Sequence, residues 1–437
     1  MPDLRYKVTP GGQLTGHVRV PGDKSISHRS VMLGSLAAGV TEVAGFLEGE
    51  DSLATLAAFQ AMGVPIARPE PGSLVIQGVG LRGLTVPGQP LDLGNSGTSM
   101  RLMTGLLAGQ SFDSTLSGDA SLSARPMQRV VDPLTRMGAR IDTAARGTAP
   151  LVIHGDRKLQ GIDYVMPMAS AQVKSSILLA GLYAHGRTCV TEPAPTRDHT
   201  ERMLAGMGYP LQREGPRVCV DGGHSLQAIH IDVPADISSA AFFLVGASIA
   251  AGSDLLLEHV GINPTRTGVI EILQRMGAAI QVTNPREAGG EPVADLHVRA
   301  APLHGIEIPS ELVPLSIDEF PVLFVAAACA RGRTVLTGAE ELRVKESDRI
   351  QVMADGLVKL GIDATATPDG MIIEGGTFNA GCIDSHGDHR IAMAFSMAAL
   401  RAEGVIEIQD CANVNTSFPG YADLATAAGM GIEVVRN

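Results

Sequence analysis

A double recurrence along the chain restricts its fold more than any other feature. Short apolar stretches ending in small residues and a glycine close at Gly39, Gly109, Gly186, Gly252, Gly332 and Gly404, at intervals of 70, 77, 66, 80 and 72 residues. A second, amphipathic series closing in Met-Gly or Leu-Gly ends at Gly63, Gly138, Gly208, Gly277, Gly361 and Gly431, at intervals of 75, 70, 69, 84 and 70. Both divide the 437 residues into six units of about 73. Alternating β-type runs such as TEVAGF, LVIQGV, RTVLTG and GVIEIQ lie between the markers, bounded by Gly, Pro and Asp. Each unit therefore mixes strands with two helices, which makes the class α/β. The first helix is apolar nearly all round and is expected to be buried; the second, as in TRTGVIEILQRMG, keeps a polar face. A glycine closing each helix fits a C-cap. The period exceeds the roughly 20–50 residues of common solenoids, so six units gathered into two globular domains of three are expected.

The six apolar helices open with DKSISHR, GNSGTSMR, SAQVKS, DISSAAF, IDEF and GDHR. Four of these openings carry a cation: Lys24 and Arg29, Arg101, Lys174, and Arg390. Positive charge at a helix N-terminus opposes the macrodipole and costs a few tenths to about 1 kcal/mol near a surface. If the openings face one way, backbone N–H groups, dipoles and cations converge, which suits phosphate and carboxylate. Asp23, Asp236 and Asp388 read equally well as plain N-caps with solvated cations nearby, and for any single helix both readings stand.

Composition narrows the ligand. A net charge of −12, 3% aromatic residues and no tryptophan leave neither the electrostatic footprint nor the stacking platform of a nucleic-acid binder. The longest apolar runs, such as AAFFLVGASIAAG, are shorter than the roughly 20 residues that span a bilayer, and MPDLRYKVTPGG has no apolar signal core, so a cytoplasmic protein away from membranes is expected. Cys189, Cys219, Cys329, Cys382 and Cys411 are scattered without a CxxC pair, which predicts reduced, mostly buried thiols and neither a disulfide nor a zinc site. His386 and His389 in DSHGDHR lack a third ligand, so no metal is expected. GDKS lacks the glycine spacing of a nucleotide P-loop, no serine stands in a nucleophile elbow and no cysteine in an electropositive motif.

Three further clusters carry charge. LSARPMQR sets Arg125 before a proline, outside any helix interior; TRDHTER holds Arg197, Asp198 and His199 in a loop. ELRVKESDRIQVM predicts a helix with Lys345 and Arg349 at i,i+4, a like-charge pair costing roughly 0.2–0.5 kcal/mol that Glu346 partly relieves. A surface arginine, mutual salt bridging and a solvated helix are the ordinary alternatives.

Taken together, PGDKSISHR, GNSGTSMR, ARPM, SAQVKS, TRDHTER, IDEFP, LRVKESDR, DHRIAMAF and NTSFP resemble the 5-enolpyruvylshikimate-3-phosphate synthase family, in order over essentially the whole chain. The resemblance implies a two-domain inside-out α/β barrel of six βαβαββ-type repeats, three per domain, with buried helices pointing their N-termini at the interdomain cleft. Residues 21–234 would form one domain and residues 1–20 with 235–437 the other. The implied reaction moves the enolpyruvyl group of phosphoenolpyruvate to the 5-hydroxyl of shikimate 3-phosphate and releases phosphate, the sixth step of the shikimate pathway. A monomer using no cofactor or metal is expected.

Carried over by motif, Lys24, Ser25, Arg29, Ser170, Ala171, Gln172, Arg197, Asp318 and Lys345 would hold shikimate 3-phosphate, and Lys24, Gly97, Arg125, Gln172, Arg349 and Arg390 phosphoenolpyruvate. Thr416 stands where some members have a lysine, and Ala171 where some have a second serine. The chemistry needs a base at the attacking hydroxyl and an acid at the methylene carbon; Asp318 is the expected base and Glu346, assisted by Lys24, the acid. Gly97 is the residue type that the family associates with glyphosate sensitivity. A related enolpyruvyl transferase, acting on UDP-N-acetylglucosamine, carries a cysteine just upstream of its ARPM-like loop, where this chain reads GDASLSARPM. A non-catalytic anion binder is the remaining alternative, against which the carboxylates of Asp318 and Glu346 argue.

Overall fold

A computed structural model describes residues 4–436 of the chain. They form two compact units: one is Gly22–Val233 with Ala288–Glu291, the other the chain up to Pro21, Pro234–Glu287 and everything from Pro292 on. Each has its own apolar core.

The Gly22–Val233 unit is built on three buried helices, Lys24–Leu36, Gly97–Ala108 and Ala171–Gly181. Each packs on a sheet of its own repeat, containing Leu74–Val79, Thr148–His154 and Arg187–Thr191 respectively. The three sheets share one plan, in which a first strand pairs in parallel with a second and two more follow antiparallel. In the first of them the parallel strands, Leu226–Gln227 and His230–Asp232, come from the far end of the unit.

The other unit repeats this plan around Ile237–Ile249, Phe320–Cys329 and His389–Ala398, which touch one another, except that the sheet containing Arg333–Leu336 has three strands and only an isolated parallel bridge, Glu307 to Val335, in place of the parallel first strand. All residues of Ile237–Ile249 are buried. Phe320–Cys329 is rich in β-prone residues yet helical: Pro321 sits in the first turn, where a missing N–H leaves no bond unmade, and an alanine run follows. Strand Leu4–Val8 lies antiparallel between Ile406–Gln409 and Ile432–Arg436, which ties the start of the chain to its last repeat. No helix among the described residues is long and apolar enough to cross a membrane.

Three details differ from expectation. Of the two glycine series, the Met-Gly and Leu-Gly one caps helices at every member but Gly431, where Gly429 is the cap instead, while in the other series only Gly109 is a cap, closing Gly97–Ala108. At Gly63, with φ 86°, the N–H groups of Gly63 and Val64 return to the carbonyls of Gln60 and Phe59, and the same paired bonds recur at Gly138, Gly208, Gly277 and Gly361. The remaining glycines of that other series lie beyond the helix end, as Gly39 does inside strand Ala37–Ala44. The expectation of uniformly reduced thiols also fails. Cys189 and Cys219 face each other across antiparallel strands, Cα atoms 4.1 Å apart, and form a disulfide, while Cys329, Cys382 and Cys411 are free. Strand register, which cysteine spacing does not encode, brings them together. Lastly, Lys345 and Arg349 do not share a helical face. A 3₁₀ turn covers Glu340–Val344, and the helix starts at Arg349 because Asp348 caps it by accepting from the Gln351 N–H.

The Gly97–Ala108 and Ala171–Gly181 helices meet where Gly105 lies against the backbone of Ser176; a Cβ there would stand 2.0 Å from the Ser176 carbonyl oxygen. Gly105→Ala is expected to lower the free energy of urea unfolding by about 1–3 kcal/mol, the usual cost of overpacking. An unchanged midpoint and slope would mean that the helices separate freely.

Candidate active site

In the Gly22–Val233 unit the first turns of the three buried helices meet. Asp23, Ser96 and Ser170 cap them, each accepting a first-turn amide. From the Lys24–Leu36 helix, His28 Nδ1 lies 2.8 Å from Thr55 Oγ1 and 3.1 Å from Ser99 Oγ, and Nε2 lies 3.4 Å from Ser96 Oγ. Arg29 donates through Nε to Thr200 Oγ1 at 2.7 Å, and through its Nη atoms to the Ser25 carbonyl and Ser175 Oγ, each at 2.9 Å. Burial lowers the Arg29 pKa to about 10, with Glu201 and Asp23 pulling it up and Arg197 down. Arg29 is thus a buried cation joining Lys24–Leu36 to Ala171–Gly181, with Arg197 nearby.

Lys24 is partly exposed and ion-paired with the buried Asp51. Lys174, the other lysine of these openings, is 1% exposed and held by Glu192 at 3.0 Å and Glu201 at 2.7 Å. Those carboxylates bracket Arg197 in sequence, so Lys174 fixes the segment that presents Arg197. That segment is not wholly loop as expected: a helix starts at His199. Arg125 lies between helices Ala120–Ser123 and Gln128–Arg136 and donates to Asn95 Oδ1 at 2.5 Å. Gly97 sits beneath it: a Cβ would stand 2.8 Å from Arg101 Nη1 and 3.0 Å from Arg125 Nη1. Ser25, Ser170 and Gln172 are half-buried at the helix openings, and Ala171 is buried.

In the other unit one network collects the remaining candidates. Arg349, 1% exposed, gives Nε to Asp388 at 2.8 Å and Nη2 to Glu346 at 2.6 Å, with Nη1 3.5 Å from Asp318 Oδ1. Lys345 Nζ is also 3.5 Å from Asp318 Oδ1, and Arg390 Nη1 donates to the Asp318 carbonyl at 3.0 Å. Burial alone would lower the Arg349 pKa, but Asp388 and Glu346 outweigh it and raise it, so this guanidinium stays charged. Burial likewise opposes the Asp388 carboxylate, and Arg349 overcomes that, holding its pKa below the ordinary value. Asp318, Lys345, Glu346, Arg349 and Arg390 therefore stand together, two carboxylates among three cations. Thr416 closes a 3₁₀ turn and donates to the Asn413 carbonyl at 2.7 Å.

Sequence reading missed Asp51, Asn95 and Asp388 as the partners of Lys24, Arg125 and Arg349. Asp388 was visible only as a cap, which it also is, since it accepts from the Arg390 N–H. Asp51 lies in the first turn of Glu50–Ala61, where acidic residues are common for helical reasons alone.

His28 supplies a pH test. Burial first, then the charges of Lys24 and Arg29, put its folded pKa well below 6.5. The unfolded chain thus takes up a proton as pH falls below about 6.5 while the folded chain does not, so stability present above that pH is lost at up to about 1.4 kcal/mol per unit. The unfolding free energy of His28→Gln is expected to fall less steeply from pH 6.5 to 5 than that of the wild type. Parallel curves would mean that the imidazole protonates equally in both states.

The EPSP synthase (3-phosphoshikimate 1-carboxyvinyltransferase) family model matches residues 8–424. The 3-phosphoshikimate 1-carboxyvinyltransferase of Methylococcus capsulatus is 70% identical over 432 residues, 99% of each chain. The structure of EPSP synthase from Acinetobacter baumannii, 58% identical, superposes with a TM-score of 0.90 over 99% of this chain and 100% of the other. The enolpyruvyl transferase NikO from Streptomyces tendae, at 17% identity and a TM-score of 0.81 over both full chains, shares the fold. With its helix openings, cations and paired carboxylates in these positions, the chain belongs to the EPSP synthase family.

Proposed function

We propose that this chain transfers the enolpyruvyl group of phosphoenolpyruvate to the 5-hydroxyl of shikimate 3-phosphate with release of phosphate, as a monomeric enzyme of the cytoplasm. In this reading the fold is an inside-out α/β barrel whose helix N-termini face the substrates. The carrying observation is Asp318, a carboxylate held 3.5 Å from both Lys345 and Arg349, with Glu346 on the same guanidinium. A protein that only bound phosphate and carboxylate would gain nothing from carboxylates among its cations; one that moves protons beside bound anions needs them.

Arg29, Arg197 and Lys345 would hold the anionic groups of shikimate 3-phosphate, Arg349 and Arg390 the carboxylate of phosphoenolpyruvate, and Lys24 and Arg125 its phosphate. Asp318 takes the proton of the 5-hydroxyl as that oxygen bonds to C2, and Glu346 gives a proton to C3, leaving a tetrahedral carbon. Loss of a proton from the new methyl group then expels phosphate, whose charge Lys24 and Arg125 stabilise. The incoming carboxylate competes with Glu346 for Arg349, which frees Glu346 to carry a proton. GDASLSARPM contains no cysteine, which disfavours a nucleotide-sugar acceptor.

Phosphate release is expected with phosphoenolpyruvate and shikimate 3-phosphate, and none when UDP-N-acetylglucosamine replaces the acceptor. Release with the nucleotide sugar alone, or with neither, would overturn the assignment. Lys24→Met is expected to abolish turnover while the chain still folds, with a lowered melting temperature because the buried Asp51 carboxylate loses its partner. Gly97→Ala, pushing a methyl against Arg101 and Arg125, is expected to raise the KM for phosphoenolpyruvate and the inhibition constant of glyphosate together, each by roughly tenfold or more, about 1.4 kcal/mol. If the KM for shikimate 3-phosphate rose instead, Gly97 would belong to the acceptor.

A further inference from the structure

Beneath Asp318 lies a second buried ionic cluster that the reaction as proposed does not use. Glu319, the next residue, is 2% exposed and precedes the first turn of Phe320–Cys329. Its carboxylate accepts a short hydrogen bond from Ser238 Oγ, in the first turn of Ile237–Ile249, and lies 3.8 Å from Arg266 Nη2. Arg266, 3% exposed, donates from the same nitrogen to Ser238 Oγ at 2.6 Å and to Asp236 Oδ1 at 3.1 Å. Asp236 in turn caps Ile237–Ile249 through the Ser238 N–H at 2.8 Å. Two helix N-termini are therefore joined through one carboxylate, one hydroxyl and one guanidinium, all buried.

The place of this joint in the chain matters. Asp318 and Glu319 are consecutive in the turn that closes when the Glu319 N–H donates to the Ser316 carbonyl at 3.0 Å. Glu319 is tied to Ser238 and Arg266, while Asp318 reaches Lys345 and Arg349 with its carboxylate and Arg390 with its carbonyl. With Glu319 tied down, the backbone that carries Asp318 is held beside those cations. A helix cap needs no buried arginine, and Glu319 makes no capping hydrogen bond with its side chain. We infer that Glu319, through its bonds to Ser238 and Arg266, is a positioning residue that holds the Asp318 carboxylate at the acceptor hydroxyl. The inference rests on the reading of Asp318 as the base.

Buried carboxylates are costly to uncover, so the test uses near-isosteric changes. Glu319→Gln keeps the shape but removes the charge facing Arg266, and Arg266→Lys keeps a charge without the fork. Displacement of a catalytic group by about 1 Å costs on the order of 10²-fold in rate. Both variants are expected to lower kcat by about 10–100-fold on that scale, with the KM for phosphoenolpyruvate within about twofold of wild type. The acid limb of the kcat profile, set by Asp318 among Lys345, Glu346, Arg349, Asp388 and Arg390, is expected to shift. In an Asp318→Asn background, where residual turnover no longer uses the base, Glu319→Gln is expected to cost little more. A lower melting temperature with kcat and its pH profile unchanged in both variants would overturn the inference and leave the cluster purely structural. If Glu319→Gln fails to fold, Arg266→Lys decides alone by the same criteria. Wild-type turnover in Asp318→Asn would overturn the reading of Asp318 and the inference with it; an inactive Asp318→Asn beside unaffected Glu319→Gln and Arg266→Lys would overturn the inference only.

Discussion

Bringing the first turns of buried helices against one another is the constraint on which each unit depends. A helix N-terminus leaves four amides without intrahelical partners, and burying three together would be prohibitive unless each were answered. The chain answers with side chains: Asp23, Ser96, Ser170, Asp236 and Asp388 each accept a first-turn amide. Hydrogen bonds then run from one helix to the next, by way of His28 and Arg29 in one unit and Ser238 and Glu319 in the other. Apolar packing along the rest of each helix is left to hold the core, where a side chain such as Phe243, fully buried, contributes roughly 1.5–3 kcal/mol.

Cations placed in this setting separate by how they are neutralised. Lys174 has two carboxylates and almost no exposure, so it is committed to holding the Glu192–Glu201 segment. Lys24 has the carboxylate of Asp51 and keeps part of its surface open. Arg349 lies between these, fully buried yet aimed at Glu346 and Asp318, both of which are half-exposed. Buried ion pairs are poor sources of stability, because desolvation consumes much of the attraction. Their value here is geometric, since they fix where charge sits before a substrate arrives.

The α/β class was legible in the sequence because helix-ending glycines and all-apolar helices are local signals. Lys345, Glu346, Arg349 and Asp318 could be named from motifs, and the Glu346–Arg349 pair from its i,i+3 spacing, but not the joints to Asp318 and Asp388. Asp388 reads as a cap until Arg349 is seen beside it, and Glu319 as one polar residue in IDEFP until Ser238 and Arg266, 81 and 53 residues away, close on it. Those pairings depend on how repeats stack, which no single stretch encodes. The same holds for Cys189 and Cys219, 30 residues apart and joined by register. The expected helix through Lys345 failed for a local reason that could have been read: Asp348 with Gln351 three residues on is itself a helix-start signal.

We propose that the exposed part of this charge serves substrate anions and not the fold. Arg197 tests it most directly, since it is half-buried and its segment is anchored independently by Lys174. Calorimetric titration of Arg197→Met with shikimate 3-phosphate is predicted to show affinity lower by roughly 10–100-fold, the worth of a charged hydrogen bond, at an unchanged unfolding midpoint. Unchanged affinity with a lowered midpoint would contradict the account.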